Sequence, residues 1–280
     1  MLRSAGIGSL NAEEAVRAGD LEGALTQLQS EVRRHPADAR LRIFLFQLLC
    51  VRGEWNRALT QLNVSGELDA AALLMVQTYR EALRCEVYRA AVFAGNSLPM
   101  SLGEPDAWFA PLVQSLSVLA AGRGEDAATL RSKAYDEAPA IAGTLNGKPF
   151  EWIADGDARI GPCLELIISG RYYWVPFHRI RQLTLEAPSD LRDFVWVPAQ
   201  ILWANGGEAV ALIPTRYPGS ESAADPALRL ARRTDWLEQS SEVYFGLGQR
   251  AFITDDGETA LLDVRRIELN TVDSAPPAAH

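Results

Sequence analysis

Two stretches of this chain are copies of one another: Gly19-Asp-Leu-Glu-Gly-Ala-Leu-Thr-Gln-Leu28 and Gly53-Glu-Trp-Asn-Arg-Ala-Leu-Thr-Gln-Leu62. They lie 34 residues apart, and Ala-Leu-Thr-Gln-Leu is identical in both. That period, with a turn glycine, a small alanine and leucines at helical spacing, is the signature of tetratricopeptide-like helical hairpins. Arrays of such hairpins present surfaces to other macromolecules, so the repeat points first to an interaction protein.

Working outward, Asn11 and Asp38 are placed to cap helices and His35-Pro36 to stop one. Leu21, Ala24, Leu25, Leu28 and Val32 share a helix face, as do Leu41, Phe44, Leu45, Leu48 and Leu49. Asp69 opens a long helical stretch toward Phe93, and Glu104-Pro105-Asp106 is expected to begin another. Gly122, 69 residues after Gly53, restarts the repeat pattern in a helix that ends near Ala138-Pro139. The reading is a tetratricopeptide-like helical domain over residues 1–145.

The character changes after Asn146-Gly147-Lys148-Pro149, and a short linker near residues 143–149 is expected to pack the two modules together. Five of the seven tryptophans follow it, in short β-branched and aromatic runs. Expected strands are Cys163–Ile168, Tyr172–Val175, Gln182–Leu185, Asp193–Val197, Gln200–Ala204, Ala209–Ile213, Glu242–Phe245, Arg250–Thr254 and Thr259–Asp263. Ser169-Gly170, Asn205-Gly206-Gly207 and Asp255-Asp256-Gly257 supply turns, and Arg229–Gln239 reads as a short helix. The fold class is therefore α+β: helical repeats, then a small, mostly antiparallel β domain over 146–270, with 271–280 as a disordered tail.

The chain has 280 residues and a net charge of −9, and neither half is basic, which argues against nucleic acid as a partner. No apolar run is long enough to span a membrane, and no secretory signal is read at Met1–Leu10. Cys50, Cys85 and Cys163 read as buried thiols in a reducing cytoplasm. His35, His178 and His280 have no ligand spacing, so neither a metal nor another cofactor is expected. His178 could act only as a lone acid or base, and a structural role suits it better. Nucleophile-elbow and phosphate-loop motifs are absent.

Arg171-Tyr-Tyr-Trp-Val-Pro-Phe177 alternates poorly. As a strand it sends Tyr172, Trp174 and Pro176 to one side and Tyr173, Val175 and Phe177 to the other. One face should join the core. The other is either an exposed apolar contact strip or is covered by helices or a second sheet.

Gly170–Phe177, then Leu191-Arg-Asp193 with Trp196-Val-Pro-Ala199, Leu212–Ser220, Arg233-Thr-Asp-Trp236 and Gly246-Leu-Gly-Gln-Arg250, follow in this order. Together they resemble the ImpE family (also called SciE or TagJ) over residues 10–270. The resemblance implies a cytoplasmic, non-enzymatic accessory protein of bacterial type VI secretion. It implies association with the small sheath subunit and, through that subunit, with the AAA+ ATPase that disassembles the contracted sheath.

A helical-repeat groove suits an amphipathic helix from such a partner. Phe44 and Trp55 are candidate groove residues, beside Leu41 and Leu48, though a core role suits each as well. Tyr172, Trp174, Phe177, Arg192, Trp196, Trp236 and Arg250 form the candidate contact surface of the β domain. The alternatives are a hydrolase or phosphatase using Arg192, Asp193 and Asp235 in a cleft, and a self-associating scaffold.

Overall fold

The computed structural model describes residues 6–240 and 243–271. Seven helices come first: α1 (Gly6–Ala18), α2 (Leu21–Arg34), α3 (Ala39–Val51), α4 (Trp55–Leu68), α5 (Leu73–Phe93), α6 (Phe109–Ala120) and α7 (Gly124–Glu137). α1 packs on α2, α3 on α4 and α6 on α7. Each of these hairpins turns at a glycine in the left-handed region, at φ +83° for Gly19, +72° for Gly53 and +77° for Gly122. The repeated glycine is thus the one residue type that makes the turn without steric cost.

Asp20 accepts a hydrogen bond from the Gly23 N–H at 2.8 Å. Asp38 accepts from Arg40 and Leu41 at 2.8 and 3.3 Å. Both satisfy amides that a helix start leaves open. A methyl group added at Gly53 would stand 2.5 Å from Glu221 Cγ as well as in a left-handed backbone. Gly53→Ala is therefore expected to cost about 1–2 kcal/mol, measurable as a lowered denaturation midpoint. An unchanged midpoint would refute the turn argument.

Thirteen described strands and a single-turn helix follow: β1 (Gly143–Leu145), β2 (Lys148–Phe150), β3 (Ile153–Asp155), β4 (Cys163–Ile168), β5 (Arg171–Pro176), β6 (Ile180–Leu185), β7 (Trp196–Trp203), β8 (Glu208–Pro214), α8 (Pro226–Arg229), β9 (Thr234–Ser240), β10 (Val243–Gly248), β11 (Ala251–Thr254), β12 (Gly257–Ala260) and β13 (Arg266–Leu269). The main sheet has the order β2-β1-β13-β6-β7-β8-β4-β5 and is antiparallel throughout. β9 and β10 form a ribbon, and β12-β11-β3 a small third sheet. The α+β reading, helices first and antiparallel strands after, is what the chain adopts.

Several local expectations are corrected. Asn146 and Gly147, at φ +51° and +83°, make the tight turn of the β1–β2 hairpin. Asn-Gly is the strongest short hairpin signal, but the strands it joins are only three residues each, and the expected linker is this hairpin. Residues 229–239 are mostly not helical. The short helix lies earlier, and Thr234–Ser240 pairs with β10 as a strand, so tertiary pairing overrides local propensity. Asp193 is not in a strand: Leu191–Phe194 is a 3₁₀ turn, and β7 starts at Trp196 and runs through Pro198, merging two expected strands. α6 starts at Phe109 because Arg179 holds the preceding segment open, donating to Leu102 O and Glu104 O and pairing with Asp106 at 2.9 Å.

Helices and strands share one continuous apolar core on the sheet face toward the helices. It includes Leu28, Phe46, Leu48, Leu62 and Leu112 with Cys163, Tyr172, Trp174, Trp196 and Tyr217. A second core lies on the opposite sheet face, around Leu164, Val175, Phe177, Val197, Ile213 and Phe252. Among the described residues no helix is long and apolar enough to cross a membrane. The expected tail lies outside the described residues apart from Thr271.

Candidate functional site

The sheet face toward the helices carries charge where a core is expected to be apolar. Glu165 on β4 is fully buried and accepts from Arg89 of α5 at 2.6 and 3.1 Å, from the Tyr172 hydroxyl, and from Arg250. Arg250, also fully buried, reaches from Glu165 to Asp155 and donates from Nε to Pro214 O at 2.9 Å. Tyr172 accepts from the Trp174 indole N–H at 2.6 Å. The Trp196 N–H donates to Glu86 at 2.8 Å, and Arg89 stands 3.4 Å from the other oxygen of that carboxylate. Tyr217 hydrogen-bonds Asp155 at 3.0 Å.

Burial by itself would raise the Glu165 carboxyl, but Arg89 and Arg250 outweigh it and bring it down to about 2. At Asp155 burial wins over Arg250 and lifts the carboxyl to about 6. Burial likewise raises Glu86 against the pull of Arg89.

Asp155 gives a pH prediction. Its ordinary value is about 3.9, so between about pH 4 and 6 the folded chain holds a proton that the unfolded chain has lost. That contribution is complete below pH 4 and is lost as the pH rises through 6. Glu165 acts in the opposite sense, its contribution being lost as the pH falls from about 4.5 through 2. Asp155→Asn should therefore flatten the stability profile between pH 4 and 6 relative to the parent chain, as read by urea midpoints. An unaltered slope would contradict the shift.

Two further arginines cross from the β half to the helices. Arg216 donates to Val51 O at 2.7 Å and Cys50 O at 3.2 Å, at the C-terminus of α3. Arg232 donates to Val16 O and Arg17 O at 2.9 and 2.8 Å, at the C-terminus of α1. Each donates to carbonyls of a helix's last turn and places a cation at the negative end of the helix dipole. The intervening segment packs Glu221 against Gly53 and Pro226 against Gly19. The faces of α3 and α5 toward the sheet are thus covered by the chain's own β half. Leu191–Phe194 packs on α3, and Trp196 stacks between Trp55 and Tyr79 at ring distances of 6.0 and 5.8 Å.

This placement corrects the expected contact strip. Tyr172, Trp174, Trp196 and Arg250 are buried at 2, 0, 0 and 0% exposure, and Phe177 at 3%. Tyr172 and Trp174 face the helices, while Val175 and Phe177 enter the core on the other sheet face. The expected strand alternation is present, but neither face is exposed.

The remaining candidates are half-buried. Phe44 packs against the core and Trp55 lies on Trp196. Arg192 sits 4.9 Å over the Tyr79 ring and pairs with Asp190. Trp236 lies 5.6 Å from the Tyr217 ring and donates to Glu258 at 3.2 Å.

The cleft imagined for Arg192, Asp193 and Asp235 does not form around them. Asp193 accepts from the Ser189 and Asp190 N–H groups at 2.8 Å each, closing the turn. Asp235 pairs with Arg233 on the ribbon side. Among the described residues no hydrogen bond or ion pair joins Asp235 to the other two. His178 is half-buried, 3.5 Å from Asp106 and edge-on to Trp108, and burial lowers its pKa. Among the described residues no three His, Cys, Asp or Glu side chains gather into a metal-binding cluster.

Sequence reasoning missed Glu86, Arg89, Asp155, Glu165, Arg216 and Arg232. Glu165 had a signal, a lone carboxylate inside Cys163-Leu-Glu-Leu-Ile-Ile168. Glu86 and Arg89 sit three apart on a helix, which puts them on one face.

The five motifs of the β half are therefore the parts of a joint. Tyr172 and Trp174, Trp196, Arg216 and Tyr217, Trp236, and Arg250 either enter the polar network or pack beside it. Residues 147–268 match the family model described as ImpE protein. The chain is 53% identical over 263 residues to the type VI secretion system accessory component TagJ of Pseudomonas aeruginosa, covering 94% of this chain and 92% of that protein. It also superposes on the crystal structure of protein VPA1032 from Vibrio parahaemolyticus with a TM-score of 0.84 and 26% identity, over 92% of this chain and 97% of that one. With likeness running through both the helical half and the joint, the chain belongs to the ImpE (TagJ) family of type VI secretion accessory proteins.

Proposed function

We propose that this protein is a non-enzymatic, cytoplasmic adaptor of a type VI secretion system. In this reading it binds the small sheath subunit through an amphipathic helix, and through that subunit it meets the AAA+ ATPase that disassembles the contracted sheath. The observation that carries the reading is the near full-length similarity to TagJ. The interior supports it: the buried charges Glu86, Arg89, Asp155, Glu165 and Arg250 pair with one another inside the core, whereas catalytic groups have to face a substrate. The accessible edges of Phe44, Trp55, Arg192 and Trp236 remain proposed contact points, and the buried candidates act by shaping the joint behind them.

The test is size-exclusion chromatography of the purified chain mixed with the purified small sheath subunit of the same bacterium. Co-elution as one complex is expected, with the ATPase joining only when the sheath subunit is present. Separate elution at micromolar concentrations of both would overturn the adaptor reading.

A further inference from the structure

The helix-pair face that usually receives a ligand is filled by the chain's own β half, but the structure has a second groove. It lies between α2 and α4, the two helices that carry the repeated Ala-Leu-Thr-Gln-Leu, and α3 forms its floor. Its volume is about 400 Å³. Buried Val32, Leu45 and Leu49 form an apolar base, and Arg33, Arg42 and Arg57 stand along its sides.

The charge there is unlike the rest of the molecule. The chain carries −9 overall, yet none of the groove's lining residues is acidic. The segment Arg33-Arg-His-Pro-Ala-Asp-Ala-Arg-Leu-Arg42 holds four arginines against one carboxylate. Arg33 is exposed and makes no hydrogen bond or ion pair among the described residues. Arg42 donates to neutral acceptors, Gln61 at 2.8 Å and Pro36 O at 3.2 Å. Arg57 shares Glu54 with Arg52. The groove therefore presents an apolar floor with guanidinium groups that the protein's own carboxylates leave largely uncompensated.

We infer that the α2–α4 groove docks an acidic amphipathic helix, its apolar side chains on Val32, Leu45 and Leu49 and its flanking carboxylates on Arg33, Arg42 and Arg57. A helix suits a trough between two helices because its ridges seat between theirs. Carboxylates suit forked guanidinium donors. The negative charge of the rest of the surface discourages an acidic partner from settling elsewhere, so the groove supplies orientation as well as affinity. The inference rests on the adaptor reading only for the owner of the helix, the sheath subunit.

The experiment uses the full chain and two fluorescein-labelled synthetic peptides. Both carry leucines at i, i+3, i+4 and i+7; one has glutamates and the other lysines at the flanking positions. Fluorescence anisotropy should show binding of the glutamate peptide, weakening with added salt, and none of the lysine peptide. Arg33→Glu/Arg57→Glu should weaken that binding at least about tenfold, with Arg33→Ala/Arg57→Ala as the milder control and thermal melts verifying the fold of both. No binding of the glutamate peptide, equal binding of the two peptides, or indifference to the charge reversal would overturn the groove assignment.

The purified small sheath subunit, measured against the same variants, separates the two readings. If it binds the parent chain and the charge-reversed variant equally, the groove is wrong and the adaptor reading stands. If the glutamate peptide binds and the sheath subunit does not, the groove stands and its assigned owner fails.

Discussion

Arg250→Met is expected to lower the stability of the chain by about 3–5 kcal/mol, the cost of removing one partner from a buried ion pair. Arg250 neutralises two carboxylates at once, Asp155 and Glu165, and all three side chains are fully buried. Methionine keeps the aliphatic stem of arginine, so the loss comes from the guanidinium and its partners Asp155, Glu165 and Pro214 O. Asp155 can relieve its share by taking up a proton, since its pKa is already raised to about 6. Glu165 keeps Arg89 and the Tyr172 hydroxyl. Because the network pins β3, β4 and β11 to α5, the damage should reach both halves and show as one lowered transition by far-ultraviolet circular dichroism. Adding Asp155→Asn to Arg250→Met should recover part of the loss, because Asp155 is the carboxylate that loses its cation. A single variant within about 1 kcal/mol of the parent would mean that the network carries little of the joint.

Trp196→Ala is expected to cost about 3–5 kcal/mol. The indole is fully buried between Trp55 and Tyr79, and its N–H donates to Glu86. Truncation opens a cavity between α4, α5 and β7 and leaves a buried carboxylate short of a donor, two penalties that add. Trp55→Ala, at a half-buried ring, should cost clearly less. Chemical denaturation of the two variants side by side checks the order, and equal losses would refute the placement of Trp196 at the centre of the joint. For the same reason Tyr172→Ala and Trp174→Ala are expected to destabilise the chain, so weakened partner binding by either would not locate an interface.

Much of the helical half was legible because its signals are local. A glycine with positive φ, a capping aspartate and a 3.6-residue apolar period act within one or two turns. Strands β4, β5 and β8 were legible for the same reason, being β-branched or aromatic runs closed by turn residues. β1, β2, β3 and β13, three or four residues each, are too short for alternation to register. β9 reads locally as a helix because its pairing with β10 is decided across the ribbon.

The aromatic strip shows the limit most clearly. The sequence by itself determined that Tyr172 and Trp174 share one side of a strand and Val175 and Phe177 the other, because the strand period is a property of the backbone. Only the tertiary structure decided what lies against each side. Glu165 meets an arginine 76 residues earlier and Arg250 meets Asp155 from 95 residues away. Periodicity says which side chains share a face. The partner that covers the face comes from a distant part of the chain, brought there by the burial of the whole core, and that burial turned an expected contact surface into a sealed joint and left the arginine-lined groove outside it.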